Sequence, residues 1–206
     1  MHKDYDAKFY SELAEQAETS SLPVLTPVFK AFPHLDVVDF GCGMGHWLKS
    51  SKKLGAMTVR GYDGDWVPRD KLVIEPEEFV ATDLSDPKSE AYDPAVSSFV
   101  SPQVFSMALC METAEHLPPN IGPILVKALV RRAPVVVFSA ATPGQGGTAH
   151  INERPLEYWE GLFAKHGYMM LDIVRPVIAS NKAVQRWYRD NSVVFVQRGF
   201  LDTQAA

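Results

Sequence analysis

The chain is poor in the features that would place it in several common classes. It has 2 cysteines among 206 residues, Cys42 and Cys110, and no Cys-x-x-Cys pairing. That excludes a disulfide framework and a zinc-finger type of site. The longest apolar stretch, around residues 133–141, is far too short to span a bilayer. The stretch MHKDYDAKFYSELAEQ is too charged for a secretion signal. A cytoplasmic protein without a membrane segment is therefore expected. Positive charge is not in excess: 20 Lys and Arg stand against 25 Asp and Glu, a net charge of −5. Proteins that bind nucleic acid through a broad phosphate footprint carry the opposite sign, which leaves only a small local contact open. There is no internal repeat, low-complexity tract or long charge run. Hydrophobic residues at 46% and charged residues at 22% exclude wholesale disorder. The length suits one globular domain, either monomeric or a homodimer.

What is present is an alternation of strand-like and helix-like segments. Residues 8–16 read as a helix, and 22–32 as a second one interrupted by Pro23 and Pro27. Short apolar runs at 35–40, 58–62, 79–82, 104–110 and 134–139 read as strands, with later strands at 168–174 and 193–197. Helices are expected at 46–54, stopped by Gly55, at 121–132, at 156–165, closed by Gly167, and near 183–189. Such alternation predicts an α/β fold with a mostly parallel sheet and helices on both faces. Ligands of such sheets bind at the carboxyl ends of the strands.

The residues at those strand ends are informative. Asp39-Phe40-Gly41-Cys42-Gly43-Met44-Gly45-His46 joins the first strand to a helix. Its spacing is G-x-G-x-G, so His46 fills the third slot of a dinucleotide fingerprint, and no Gly-Lys-Ser/Thr follows as in a phosphate loop. Asp39 beside the glycines would repel a pyrophosphate and favour a cationic ligand. S-adenosylmethionine (SAM), with an ammonium and a sulfonium, has that character. Asp63 ends the next strand, where a carboxylate accepts both ribose hydroxyls of an adenosine, and Asp83 ends the third, within reach of an adenine amino group.

With these residues the sequence resembles the class I SAM-dependent methyltransferases. The carrying segments are VVDFGCGMGHW (37–47), VRGYDGDWV (59–67), FVATDLSDP (79–87) and FSMALCMETAEHLPP (105–119). Two further blocks, 135–159 and 187–191, are similar to a group of small bacterial methyltransferase-domain proteins. The resemblance implies a Rossmann-like, seven-stranded, mostly parallel sheet with an antiparallel last strand. It implies SAM as cofactor and S-adenosylhomocysteine (SAH) as product. The cofactor contacts would lie at Asp39, Gly41, Cys42, Gly43, Asp63, Gly64, Asp83, Leu84 and Met111. Residues 1–206 would form one methyltransferase domain, with 1–33 as a helical lid or substrate segment and 34–206 as the SAM-binding core. Many relatives open the fourth strand with Phe-Asp; Phe105-Ser106 stands here, and no role passes to Ser106.

Glu112, Glu115 and His116 follow the fourth strand, and His150 lies in the glycine-rich loop after the fifth. If the segment begins a helix, the first three share one face. The Glu-x-x-Glu-His pattern with a later histidine resembles two branches of the superfamily. These are the metal-dependent small-RNA 3′-terminal 2′-O-methyltransferases and the ubiquinone-biosynthesis O-methyltransferases. Both hold vicinal oxygens with a divalent ion. By that resemblance Glu112, Glu115, His116 and His150 are candidate metal ligands, and His116, Glu115 and His150 candidate catalytic residues. Mixed oxygen and nitrogen ligands suit Mn²⁺, Fe²⁺, Co²⁺ or Zn²⁺ at least as well as Mg²⁺. Two other readings stay open: His116 as a metal-free general base, or a purely structural turn.

The loop 142–150, with three glycines and no large apolar side chain, is expected to be a mobile substrate lid. Arg154 is expected to pair with Glu153 or Glu157, with an acidic substrate as the alternative. Trp159 and Trp187 are expected as core or wall, Cys42 as small packing, and Tyr5 or Tyr10 as core or lid. The function expected is O-methylation of a small hydroxylated acceptor. The alternatives are an RNA-terminus methyltransferase and a non-catalytic SAM-binding protein.

Overall fold

The apolar runs pair into one sheet. Its strands are Asp36–Phe40 (β1), Thr58–Asp63 (β2), Phe79–Ala81 (β3), Met107–Met111 (β4), Val135–Ser139 (β5), Tyr168–Leu171 (β6) and Val193–Gln197 (β7). The computed structural model describes residues 7–33, 36–92 and 105–204. Leu35 and Val104, placed at strand ends by the sequence, and Tyr5 lie outside the described residues. The strand order is β3-β2-β1-β4-β5-β7-β6. β1 pairs in parallel with both β2 and β4, and β5 pairs in parallel with β4. β7 runs antiparallel between β5 and β6, as expected for the last strand.

Side chains alternate across these strands and split the core in two. Val37, Met107, Leu109, Val135 and Val194 face one side, packed beneath the helices Ala7–Ala31 (α1) and His46–Lys53 (α2). Val38, Phe40, Ala108, Val136 and Phe195 face the other, packed against Gly122–Arg132 (α3) and Leu156–Ala164 (α4). Trp159 of α4 is fully buried against Phe138, as core. The same alternation places Asp39 on the α2 side with Val37, and it is completely buried there. No helix of the described residues is long and apolar enough to cross a membrane.

Several local expectations need correction. The two amino-terminal helices are one, α1, which carries both Pro23 and Pro27 inside it. An interior proline removes a backbone bond and costs about 3 kcal/mol. Burial of Val24, Leu25 and Val28 offsets this, at about 1.5–3 kcal/mol each. Ser21 and Ser50 also exchange a buried hydrogen bond of 2.7 Å between α1 and α2. β6 ends at Leu171, where Arg175 pairs with Asp172 at 2.9 Å and begins a short helical turn, Arg175–Ile178 (α5). The expected helix at 183–189 starts later, as Arg186–Asn191 (α6), because the Asn181 side chain accepts from Ala183 N and holds a turn there. A last helix, Arg198–Gln204 (α7), was not expected.

Gly61 in β2 shows how closely the sheet and the glycine loop pack. A Cβ there would meet Cys42 Sγ at 2.5 Å and Leu48 at 3.0 Å. Gly61→Ala is expected to lower stability by about 1–3 kcal/mol through overpacking. Adding Cys42→Ala to it is expected to recover part of the loss. Urea unfolding of the two variants checks both statements.

Candidate active site

The carboxyl ends of β1, β2, β4 and β5 open into a cavity of about 1020 Å³. Its lining includes Gly41, Cys42, Gly43, Asp63, Gly64, Asp83, Leu84, Met111, Glu112, His116 and His150. Asp39 and Glu115 lie beneath this surface and do not line it. Ala14, Gln16 and Ala17 of α1 close one side, and Trp187 and Tyr188 of α6 another. Of Tyr10, only the helical backbone is described.

The glycine loop turns on left-handed residues, with Gly41 at φ +86. Any side chain at Gly41 would collide with Thr113. Asp63 organises the loop: its carboxylate accepts from Gly43 N and from Gly64 N, both at 2.7 Å. Burial raises the Asp63 carboxyl, and those two hydrogen bonds pull it back down. Neither oxygen of Asp39 has a hydrogen-bond partner. Burial, then the nearby Asp63 charge, pushes the Asp39 carboxyl up from 3.8 to about 8. Cys42 is buried and its thiol is raised well above the ordinary value, first by burial, so it packs and does not react. Asp83 is exposed and accepts from Ser85 N at 2.8 Å and Ser85 Oγ at 2.6 Å.

Glu112, Glu115 and His116 do not share a helical face. Glu112 sits at φ +50, outside any helix, and Ala114–His116 forms a single 3₁₀ turn. The groups converge by another route. Ile151 N and Asn152 N both donate to Glu115 O at 3.0 Å, and Asn152 Nδ2 donates to Ala114 O at 3.3 Å. This docks the loop after β5 onto the 3₁₀ turn and brings the His116 and His150 rings edge to face, 4.8 Å apart. Ligand atoms of Glu115, His116 and His150 lie within 4.8 Å of one another. Glu112 is not in that group. Asn191 Nδ2 donates to its Oε1 at 3.3 Å, and Gln145 Nε2 to its Oε2 at 3.5 Å.

The electrostatics follow from burial. Glu115 is completely buried; its Oε1 accepts from Ala141 N at 3.1 Å. Its Oε2 is left facing the Glu112 carboxyl, a contact that is a hydrogen bond only when one of the two carries a proton. Burial, then Glu112, raises Glu115 far above the ordinary carboxylate range. Burial, then His150, lowers His116 to about 4, so its ring is neutral near pH 7 and offers a lone pair. A buried carboxyl facing a second one, beside a neutral imidazole, is a donor set suited to a divalent cation, which would replace the proton between the acids.

The loop 142–150 is fastened. Glu153 accepts from Gly144 N at 2.7 Å, from Gly146 N at 2.8 Å and contacts His150 Nδ1 at 3.1 Å. Glu153 is thereby taken from Arg154. Contrary to expectation, Arg154 donates to Asn152 Oδ1 at 2.9 Å and lies over the Tyr158 ring. His46 and Gln145, which line the cavity, and Asn191, which contacts Glu112 and Gln145, escaped sequence reasoning. His46 was visible only as a departure from a fingerprint. Gln145 and Asn191, in segments already singled out, gave no sign of a shared contact.

Asp39 generates a test in the ligand-free protein. A carboxyl raised from 3.8 to about 8 binds its proton more tightly folded than unfolded. Its contribution to stability is full below the unfolded value and is lost as pH passes the folded one. Stability should therefore fall between about pH 4 and about pH 8, and Asp39→Asn should flatten that fall in thermal unfolding. An unchanged slope in the variant would assign the titration to another group.

No family model matches the sequence, and no curated protein does. Solved structures do. The fold is similar to that of an O-methyltransferase family protein from Burkholderia thailandensis, with a TM-score of 0.62 at 10% identity, covering 94% of this chain and 60% of that one. It is similar to the plantazolicin methyltransferase BpumL in complex with SAH, with a TM-score of 0.59 at 17% identity, covering 95% and 91%. It is also similar to human N-acetylserotonin methyltransferase in complex with SAM, with a TM-score of 0.58 at 14% identity, covering 92% and 55%. The chain thus spans little more than half the length of the first and third of these. At such identities the likeness is one of fold: the chain has the Rossmann-like fold of the class I SAM-dependent methyltransferases.

Proposed function

We propose that this protein transfers the methyl group of SAM to an oxygen of a small, hydroxylated, uncharged molecule with the help of a divalent ion. The observation that carries this reading is the shared cavity. One side is the glycine loop with Asp63; the other carries His116 and His150, with Glu115 of their cluster buried beneath. A volume of about 1020 Å³ accommodates a nucleoside cofactor beside a small acceptor. The buried Asp39, with two unpartnered oxygens under the loop, fits a cationic ligand above it. The solved neighbours include one holding SAM and one holding SAH.

Each residue then has a definable task. Asp63 keeps free lone pairs for ribose hydroxyls while its bonds to Gly43 and Gly64 hold it in place. Asp83 and Leu84, which line the cavity, would border the adenine, and Met111 and the loop backbone the sulfur. SAM supplies an electrophilic methyl on a sulfonium. Glu115, His116 and His150 would hold the ion, with Glu112 beside them. The ion supplies the Lewis acidity that lowers the pKa of an acceptor hydroxyl. Glu112, which lines the cavity outside that ligand set, would be the place for the departing proton. The main contribution of the protein is alignment of donor and acceptor.

The small uncharged acceptor is favoured over an RNA terminus by the charge of the walls. Among the described residues, no Lys or Arg lines the cavity, whereas Asp63, Asp83 and Glu112 do. A polynucleotide phosphate would meet no cation there.

Calorimetry with SAH tests the cofactor half. Asp63→Ala should weaken binding by about tenfold to a hundredfold, the loss of charged hydrogen bonds. Turnover tests the rest. In a pool of hydroxylated acceptors the protein should form SAH, lose that activity in EDTA and regain it with Mn²⁺ or Zn²⁺. SAH binding without any SAH formation would support a binding protein, and activity unchanged by EDTA would remove the ion from the mechanism.

A further inference from the structure

A neutral imidazole has two ring nitrogens, and only one of them offers a lone pair to a cation. Which one does so is set by the partner of the other. Both histidines of the cluster find that partner in the segment that follows β5. For His116 it is the carbonyl of Ala149, which accepts from the ring. Ala149 reaches it with a left-handed backbone, φ +57, a conformation uncommon for a residue with a Cβ.

For His150 the partner is Glu153. His150 Nδ1 lies 3.1 Å from Glu153 Oε1. The same carboxylate accepts from Gly146 N at Oε1, 2.8 Å away, and from Gly144 N at Oε2, 2.7 Å away. Two N–H donors favour its charged form. A charged carboxylate can only accept, so Nδ1 carries the ring proton and Nε2 the lone pair. Gly147 keeps that second nitrogen uncovered: a Cβ there would stand 2.4 Å from His150 Nε2. Glu153 does not line the cavity, and it is outside the group of ligand atoms formed by Glu115, His116 and His150. Whatever it does at the site, it does through another residue.

We propose that Glu153 is a positioning residue for the divalent ion: it fixes the His150 ring through Nδ1, so that Nε2 is the ligand nitrogen. The proposal rests on the reading of the cluster as an ion site. It also gives the loop a reason to be fastened. One carboxylate holds both the backbone at residues 144 and 146 and the ring of a ligand, so the cavity wall and the ligand set are oriented together.

The ion alone is the probe, and no turnover is needed. Glu153→Gln keeps the side-chain volume and one acceptor oxygen. It should weaken Mn²⁺ binding in calorimetry by about tenfold to a hundredfold, the usual cost of losing an outer partner of a ligating histidine. Its SAH affinity should match that of the wild type, which also shows that the variant is folded. Ring ¹⁵N shifts of the ion-free protein at mildly alkaline pH supply the readout that loop fastening alone would not move. The His150 signal, assigned by its loss in His150→Ala, should be that of the Nδ1–H form in the wild type. It should move toward the Nε2–H form in Glu153→Gln. Unchanged Mn²⁺ affinity overturns the proposal. Weaker Mn²⁺ binding with an unchanged His150 tautomer also overturns it, because Glu153 would then act only on the loop. Wild-type protein that takes up neither Mn²⁺ nor Zn²⁺ removes the ion reading itself and this role with it, a failure seen before any substitution is made.

Discussion

The candidate site depends on how Glu115 is held. Its carbonyl accepts from both Ile151 N and Asn152 N, and its side chain accepts from Ala141 N. One residue of a 3₁₀ turn thus fastens both ends of the loop that follows β5. Together with the bond from Asn152 Nδ2 to Ala114 O, these three bonds set His150 beside His116. The arrangement needs a carboxyl in a fully buried place, which is expensive unless the group is protonated or faces a cation. Burial of Glu115 is therefore the constraint from which the rest of the cluster follows. It forces a relation with Glu112, while the burial of His116 itself, then His150, keeps that ring neutral.

The same balance is repeated under the glycine loop. Asp39 is fully buried and Asp63 is half-buried at the cavity wall, and the two are treated differently. Asp63 has two backbone donors, and these stabilise its charge. Asp39 has none, so its charge has no support in the ligand-free protein. A sheet can tolerate one such acid at a strand end because the open cavity lies just above it. The net charge of −5 gains a location from this. Several of the acids surround one cavity and are not spread evenly as solubilising surface.

Much of this was readable from residue order. Apolar runs ended in Gly or Asp at the strand ends, and helices stopped at Gly55 and Gly167, both left-handed in the structure. Those signals act within a few residues. What escaped were features decided at long range. Pro23 and Pro27 argue locally for a break, but apolar packing of α1 over the sheet keeps one helix. Glu112 looks like the first residue of a helical face by spacing alone. Its backbone is instead set by β5, since Glu112 N donates to both the carbonyl and the hydroxyl of Ser139 at 3.0 Å. The Arg154 expectation failed because Glu153 is occupied by loop N–H groups that spacing cannot reveal.

The contact between Gln145, Asn191 and Glu112 shows why the loop is better described as fastened than as free. Asn191 Nδ2 donates to Gln145 Oε1 at 2.9 Å as well as to Glu112, so three chain segments meet at one amide. Asn191 closes α6, and the same helix supplies Trp187 and Tyr188 to the cavity wall. Tyr188 in turn packs edge-on against Trp47 of α2 at 5.0 Å. A displacement of the loop away from Glu112 must break the amide contact or move α6, and moving α6 disturbs the wall beside the glycine loop. The two ends of the cavity are joined by packing of this kind, so the position of the β5 loop and the shape of the glycine-loop end are not independent.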